Sequence, residues 1–424
     1  MPAQQDDIWR PFVRAAVGFA LTTGFGLGGI LFAVPALGFA AGGWWLATAQ
    51  VHAHVQLFGW AGLMVLGVAF YFLPRLRGRP LSHREWAPVA LCLLAAGLLV
   101  RIIAQPLVSL SDAPASRVAL VLSGALELVG MTLAQILLVQ TLRGTPAMRG
   151  RGGMWQVLPF LAAAFGSAWL ALAVNLVGIV VAAMNRGLVP NWADTLHNLF
   201  GFYDFLVPIS VGMGARLFPL HFGARLPGLA LLRTGLAILV VGMVLRVAGD
   251  MAGTRVATAL GLTAIATALV LFVTGSRVFA PRRAIPGGRR PWYAEPAQWL
   301  GLSAFAWLVF DALLLAVAAL AILIPGLGPI ALDAEWHILG AGFVTLLIFG
   351  EGANLLPGFV GRPLRNEALV WATLVLGNLA VLLRVAPVLL PPLFTGLLGP
   401  GALASSGVAG LVAVALFAYN VAGA

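Results

Sequence analysis

Four of the six histidines in this chain lie at or near the start of long apolar runs: His52, His54, His197 and His337. Neutral imidazole is a common axial ligand of heme iron and also binds copper well. Ionisable side chains are rare within apolar spans and usually have a function there. A lone histidine at a helix end is more often an interfacial residue bonded to a neighbour. Several histidines at equivalent positions favour a metal or heme site.

The two remaining histidines, His83 and His221, stand among arginines in short polar segments. We expect these two to be solvated or to face lipid headgroups. His52 and His54 are two residues apart, which on a helix is a rotation of about 200°. They therefore cannot both face one pocket, and one of them must cap the helix or face the adjoining loop.

An internal repeat relates three of these histidines and selects His54 over His52. The segment from His54 aligns without gaps to the segment from His337, and a weaker copy starts at His197. Both copies contain a Gly-Arg-Pro-Leu element, Gly78-Arg79-Pro80-Leu81 in the first and Gly361-Arg362-Pro363-Leu364 in the second. Both also contain an arginine in the next apolar run, Arg101 and Arg384. The third copy reaches Arg246 after a two-residue insertion. The pattern predicts three four-helix units, approximately 1–142, 143–290 and 291–424, with pseudo-threefold symmetry.

Apolar helices must position these residues, because 61% of the chain is hydrophobic, only 9% is charged and the mean hydropathy is +0.99. Apolar runs of this length predict an all-α integral membrane protein. We predict one transmembrane domain, 1–424, with twelve helices at 14–36, 50–74, 86–108, 117–141, 155–183, 195–219, 228–249, 255–279, 297–324, 334–358, 366–394 and 402–422. The single cysteine, Cys92, excludes an intrachain disulfide and a cysteine-based metal cluster.

Charge predicts the orientation of these helices. The 25 basic residues are all arginines, and most lie in alternate loops and near the N-terminus, as at Arg10, Arg75 and Arg143. This distribution predicts a multi-pass protein of the bacterial inner membrane with both termini in the cytoplasm. It also argues against nucleic acid as a partner despite the net charge of +11. Membrane lipid is the expected environment, and no protein partner is indicated.

Several charged residues lie within the apolar runs themselves. Arg101, Arg246 and Arg384 could extend to headgroups, pair with a buried acid, or neutralise the propionates of a heme. Four acids share this setting: Glu127, Asp204, Asp311 and Glu351. Proton handling and structural pairing with arginine both remain open for them.

Two segments of the chain resemble the NnrS family, which contains heme and copper and is related to subunit I of the heme–copper oxidases. His52-Ala53-His54-Val55-Gln56-Leu57-Phe58-Gly59-Trp60 is similar to the His-Ala-His-Glu-x-Leu-Phe-Gly-Phe signature of that family. The segment from Trp336-His337 to the second Gly-Arg-Pro-Leu element is similar as well, and so is Arg10-Pro11-Phe12. The resemblance implies a membrane protein that binds heme and acts in nitric oxide response or tolerance.

The oxidase kinship implies more about individual residues. It places a low-spin heme between His54 and His337. We expect this heme to be of b type, with His52, Arg101 and Arg384 at the cofactor. It assigns copper or a second heme to His197.

An oxidase would need further histidines. Glu335 stands where helix 10 of an oxidase carries its second histidine, and 228–249 contains none. Val55 and Phe359 also replace a glutamate and a histidine of the NnrS pattern. The sequence therefore predicts no complete binuclear site and no oxygen reduction. Two other functions stay open, an electron-transfer component of the oxidase or nitric oxide reductase type and a transporter. The transporter is disfavoured because transporters usually contain twofold repeats.

Overall fold

The computed structural model describes residues 7–111, 113–143, 156–282, 291–324, 326 and 332–422. Within those residues the secondary structure is helical, and twelve long helices follow one another. They are α1 Trp9–Ala36, α2 Gly43–Arg77, α3 Arg84–Leu110, α4 Pro114–Leu142, α5 Leu158–Met184, α6 at 191–221, α7 Leu229–Ala252, α8 Arg255–Ser276, α9 Pro296–Leu323, α10 Ala334–Val360, α11 Glu367–Leu389 and α12 Leu398–Val421.

Eleven of these helices are long and apolar enough to cross a membrane. The exception is α6, which is of similar length but carries Asp194, His197 and Asp204. Large apolar side chains are exposed on the outer faces, as at Ile103 and Val244, while Arg101, Arg246 and several acids are buried. This distribution is the reverse of a soluble protein and suits lipid as the surrounding solvent. The prediction of a multi-pass membrane protein is confirmed at this level.

The helix boundaries differ from the predicted ones by up to several residues. The largest difference that affects the site is in α2, which begins at Gly43 rather than near residue 50. The α-helical segment up to His54 has 12 residues, so His54 lies about three turns inside the helix rather than at its outer end. Several arginines of the predicted cytoplasmic loops lie outside the described residues: Arg149, Arg151, Arg283, Arg289 and Arg290.

Wide π-helical turns follow each of the three repeat-matched histidines. In α2 the π-helical segment is Val55–Gly62, directly after His54. In α10 it is Ile338–Thr345, directly after His337, and in α6 it is Phe200–Leu206. The π-helix is rare and often occurs at functional sites, because it re-aims side chains and releases backbone carbonyl groups from regular bonding.

The Gly-Arg-Pro-Leu elements end helices. Gly78 and Gly361 have φ values of 64° and 67°, the left-handed conformation that glycine adopts without strain. The following N–H groups, of Arg79 and Arg362, donate to carbonyl groups inside the helix at 3.0 and 3.1 Å. This is the usual glycine-capped helix end, with a proline beyond it that prevents the helix from continuing. Helix termination therefore explains the motif without a cofactor.

The chain divides into two compact units. The first comprises Met1–Trp155, Phe165–Gly201 and Leu403–Val414, and the second comprises Gln156–Ala164, Phe202–Ala402 and Ala415–Ala424. In the first unit, Val108, Leu120 and Ile179 belong to a buried apolar cluster. In the second, Ile338, Val381 and Val385 do so. Each unit also contains a buried polar cluster.

Candidate functional site

The buried polar cluster of the first unit joins His54, Glu127 and His197, which we call the histidine cluster. His54 Nδ1 lies 3.1 Å from His197 Nε2, and His54 Nε2 contacts the Glu127 carboxylate. His197 Nδ1 lies 3.0 Å from the backbone oxygen of Ala171. His54 is 1% exposed, Glu127 0% and His197 3%. The three side chains come from α2, α4 and α6, so the cluster is assembled from three different helices.

The partners fix where the protons of the histidine cluster lie. A backbone carbonyl only accepts, so His197 Nδ1 carries the hydrogen and the Nε2 of neutral His197 presents a lone pair to His54. At the far side of the His54 ring, a Glu127 oxygen contacts Nε2 and accepts from it when the carboxylate is ionised. Metal-binding histidines typically donate their second ring N–H to a carboxylate or a backbone carbonyl in this way. The two facing nitrogens are therefore oriented to share a cation, either a metal ion or a proton.

Local packing holds the cluster in place. The Phe58 ring lies 5.4 Å from the His54 ring and 5.5 Å from the His197 ring, between centroids. Close approach of α3 to α4 depends on Gly97, where an added Cβ would lie 2.5 Å from Glu127 Cγ and 2.7 Å from the Ser123 carbonyl oxygen. Glycine at this point lets the two helices pack at the position of the Glu127 side chain.

Arg101 is buried beside this cluster and is held by amides. It donates to Gln105 Oε1 at 2.9 Å and to Asn175 Oδ1 at 2.6 Å. Gln105 in turn donates to Gln50 at 3.2 Å and to the Gly187 carbonyl group at 3.0 Å. Arg101 does not extend to headgroups, since it is 1% exposed. Its two hydrogen bonds named above go to neutral amide oxygens, while the carboxylates of Glu127 and Asp194 lie close enough to interact with its charge.

The other predicted cofactor residues are distributed as follows. His52 Nδ1 lies 3.0 Å from the Gly24 carbonyl oxygen, at the end of a π-helical segment in α1, so His52 and His54 face different neighbours as predicted. His337 is half-buried in α10 and Arg384 is buried in α11, both in the second unit. The predicted axial pair, His54 and His337, thus comes from two different units.

The second unit contains a buried cluster of different chemistry, which we call the acid cluster. Tyr203 Oη lies 2.9 Å from Asp311 Oδ2 and 2.8 Å from Glu335 Oε1. Arg246 Nη1 donates to the same Glu335 oxygen at 2.8 Å, and Arg246 Nε lies 4.0 Å from Asp250. Of the alternatives that the sequence leaves open for Arg246, the structure selects an ion pair with a buried acid.

A histidine predicted to lie in a solvated loop also has a buried partner. His221 Nδ1 lies 2.7 Å from Glu351 Oε2, and the His221 side chain is 22% exposed. His221 is therefore half-buried and paired with an acid rather than fully solvated. The reason is that α6 continues to His221, two residues beyond its predicted end, and brings the imidazole against α10.

The geometry of the histidine cluster can be compared with the needs of the predicted copper and heme. A metal ion bound by both nitrogens at about 2.0–2.1 Å would have to lie beside the line that joins His54 Nδ1 and His197 Nε2, because 3.1 Å is too short for an ion on that line. Heme does not fit His54 as arranged, because both ring nitrogens already have partners. Among the described residues, no group of three or more histidine, cysteine, aspartate or glutamate side chains could hold a metal ion. The protein would supply two nitrogen ligands.

Comparison with protein-family models and with curated protein sequences finds no match to this chain. The helices define the class on their own: this is a multi-pass membrane protein with ionisable side chains buried between its helices.

Sequence reasoning singles out His54 and His197 but not their contact, and it leaves the role of Glu127 open. It also misses the amides of Gln105 and Asn175. The available signal is a carboxamide inside an apolar run, which is costly unless it has a polar partner.

Proposed function

We propose that this chain is a metal-binding protein of the bacterial inner membrane that acts in nitric oxide response or tolerance, as its resemblance to the NnrS family implies. The observation that carries the proposal is the histidine cluster, in which two buried imidazole nitrogens face each other at 3.1 Å. Both histidines have acceptors at their outer nitrogens, so the inner lone pairs are available to a cation. Copper is the metal that this proposal assigns to His54 and His197.

Heme remains part of the proposal through His337, which is half-buried and precedes a π-helical segment. For His54 to be its second axial ligand, the contact with Glu127 or with His197 would have to open. Copper at His54 and a heme axial bond from His54 are therefore alternatives. No oxygen-reducing site is proposed, since the histidine cluster supplies only two imidazoles.

The pseudo-threefold, oxidase-like arrangement belongs to the same proposal. Its support is that the π-helical segments of α2 and α10 start at the residue after a repeat-matched histidine and have eight residues each. The left-handed glycines Gly78 and Gly361 match in the same way. Arginine-rich loops support cytoplasmic termini, and a C-terminal reporter enzyme active only in the periplasm would contradict that orientation.

Metal analysis and an absorbance spectrum of the same preparation test the proposal. Protein is purified in detergent from cells supplied with copper and heme, and the variants His54→Ala, His197→Ala and His337→Ala are prepared in parallel. We expect about one copper per chain, lost in the first two variants and retained in the third. The matched control is His83→Ala, because the His83 side chain is 62% exposed.

The spectrum decides the heme alternative. Sharp bands of a six-coordinate heme in the reduced protein, lost in both His54→Ala and His337→Ala, would replace copper with heme at His54. Protein that contains neither copper nor heme would overturn the metal-binding proposal. Growth of cells that express the protein, in the presence of a nitric oxide donor, tests the physiological role. We expect the wild type to protect growth and His197→Ala not to protect it.

A further inference from the structure

The acid cluster of the second unit has more acceptors than hydrogens to satisfy them. Tyr203 has one hydroxyl hydrogen, yet its oxygen lies within hydrogen-bond distance of both Asp311 and Glu335. Two ionised carboxylates would both be acceptors, so one of the two short oxygen–oxygen contacts would contain no hydrogen. Such a contact between lone pairs is unfavourable, most of all between buried groups.

One additional hydrogen resolves the shortage. We propose that Asp311 binds a proton and is a neutral carboxylic acid, which makes the acid cluster a proton-binding site within the membrane-spanning helices. The Asp311 hydroxyl then donates to Tyr203 Oη, and the Tyr203 hydroxyl donates to Glu335 Oε1. Every oxygen–oxygen contact around the phenol now contains one hydrogen.

The surrounding charges decide which acid carries the proton. Glu335 accepts from Arg246 at 2.8 Å, so its negative charge has a counter-ion. Asp311 is 0% exposed, and its Oδ1 is buried with no hydrogen-bond partner among the described residues. Asp250, at 4.0 Å from Arg246 and 41% exposed, adds a second negative charge on the side of the guanidinium. An ionised Asp311 would therefore be a buried charge without a cation of its own.

The location gives the site a use. Asp311 lies near the middle of α9, in a span that is otherwise apolar. Hydrogen bonds run from Asp311 through Tyr203 to Glu335 and Arg246, and Arg246 Nε lies 4.0 Å from the half-exposed Asp250, an ion-pair contact. A proton can therefore pass between Asp311 and Glu335 through the Tyr203 hydroxyl, whereas Arg246 keeps its own protons and holds Glu335 by charge.

Infrared spectroscopy tests this without any knowledge of the activity. The wild type is compared with Asp311→Asn in detergent, and the difference spectrum is recorded in H₂O and D₂O. We expect the wild type to show an extra carbonyl-stretch band of a protonated carboxylic acid, which shifts to lower frequency in D₂O and is absent from Asp311→Asn. The control is Asp250→Asn, which should lose a carboxylate band instead.

A wild-type-minus-variant spectrum that contains only carboxylate bands would overturn the proposal. Asparagine has nearly the shape of a protonated aspartate, so Asp311→Asn should be monodisperse and unfold close to the wild-type temperature. If it is not monodisperse, Asp311→Glu is measured instead. We then expect the acid band to move in frequency, and an unchanged band would refute the assignment.

Discussion

The first unit buries two imidazoles with one carboxylate, whereas the second buries two carboxylates with a phenol and a guanidinium. The two clusters contain the repeat-matched arginines in different roles. Arg101 donates to amide oxygens, and Arg246 donates to Glu335.

The difference underlies the different cation that we propose for each cluster, a metal ion in the first and a proton in the second. In the second unit the arginine already neutralises Glu335, so what the cluster lacks is a hydrogen. In the first unit Glu127 contacts His54, and the proposed metal ion would bind at the two facing imidazole nitrogens. The position two residues before the repeat histidine is His52 in one copy and Glu335 in the other, and this substitution creates the ion pair.

The largest expected effect comes from removing the arginine of the acid cluster. Arg246→Met leaves Glu335 as a buried charge without its counter-ion, and we expect a loss of about 3–5 kcal/mol of unfolding free energy. The measurement is thermal or denaturant unfolding in detergent. Adding Glu335→Met to the same chain should recover most of the loss, because the unpaired charge is then gone. Arg255→Met, at an exposed helix end, is the control and should change little. If Arg246→Met and the control Arg255→Met lost the same unfolding free energy, Arg246 would not be the counter-ion of a buried charge, and the contrast between the two units would fail.

Tyr203→Phe tests the link between the two acids with a smaller change. The substitution removes only the hydroxyl oxygen, so Asp311 and Glu335 each lose one hydrogen-bond partner. We expect a loss of about 1–3 kcal/mol, measured by the same unfolding experiment. Tyr293→Phe is the matched control, since Tyr293 is 60% exposed. If Tyr203→Phe lost no more unfolding free energy than Tyr293→Phe, the phenol would not connect the two acids.

Glu127→Gln tests the carboxylate of the histidine cluster. The two facing nitrogens remain, but the side chain no longer carries the charge that polarises His54. We expect copper affinity to fall about 10–100-fold without being abolished, measured by competition with a chelator of known affinity. Glu351→Gln, which alters a His–Glu pair of the second unit, should leave the copper affinity unchanged. Unchanged affinity in Glu127→Gln would remove Glu127 from the site.

Much of this arrangement is accessible from sequence, and the reasons why the rest is not are physical. Apolar runs give the spans because a helix must cross the bilayer with its own backbone bonds satisfied. His54 and His197 can be singled out because ionisable groups are costly in such runs. Their mutual contact cannot, since it depends on the rotation of α2 and α6 about their axes, which the π-helical segments alter.

For the Gly-Arg-Pro-Leu element, the sequence suggests a functional role where the structure shows a helix end. As a family motif it groups with the cofactor residues, yet Gly78 and Gly361 explain it as a glycine-capped helix end. Asp311 and Tyr203 are visible in the sequence as polar residues in apolar runs. Their partnership with Glu335 is not visible, because the three residues lie on three helices and Tyr203 is more than a hundred positions from either acid.

The smallest expected effect concerns the half-buried pair of His221 and Glu351. His221→Ala removes one contact of 2.7 Å, but the imidazole is 22% exposed and water can replace part of what is lost. Partly exposed ion pairs contribute about 0–1 kcal/mol, so we expect a shift of that size in unfolding free energy. The double variant His221→Ala with Glu351→Gln isolates the pair, because the loss in the double variant should be smaller than the sum of the single losses by the energy of the contact. A cost of several kcal/mol would instead place this pair with the fully buried clusters, since only a carboxylate cut off from water loses that much with its partner.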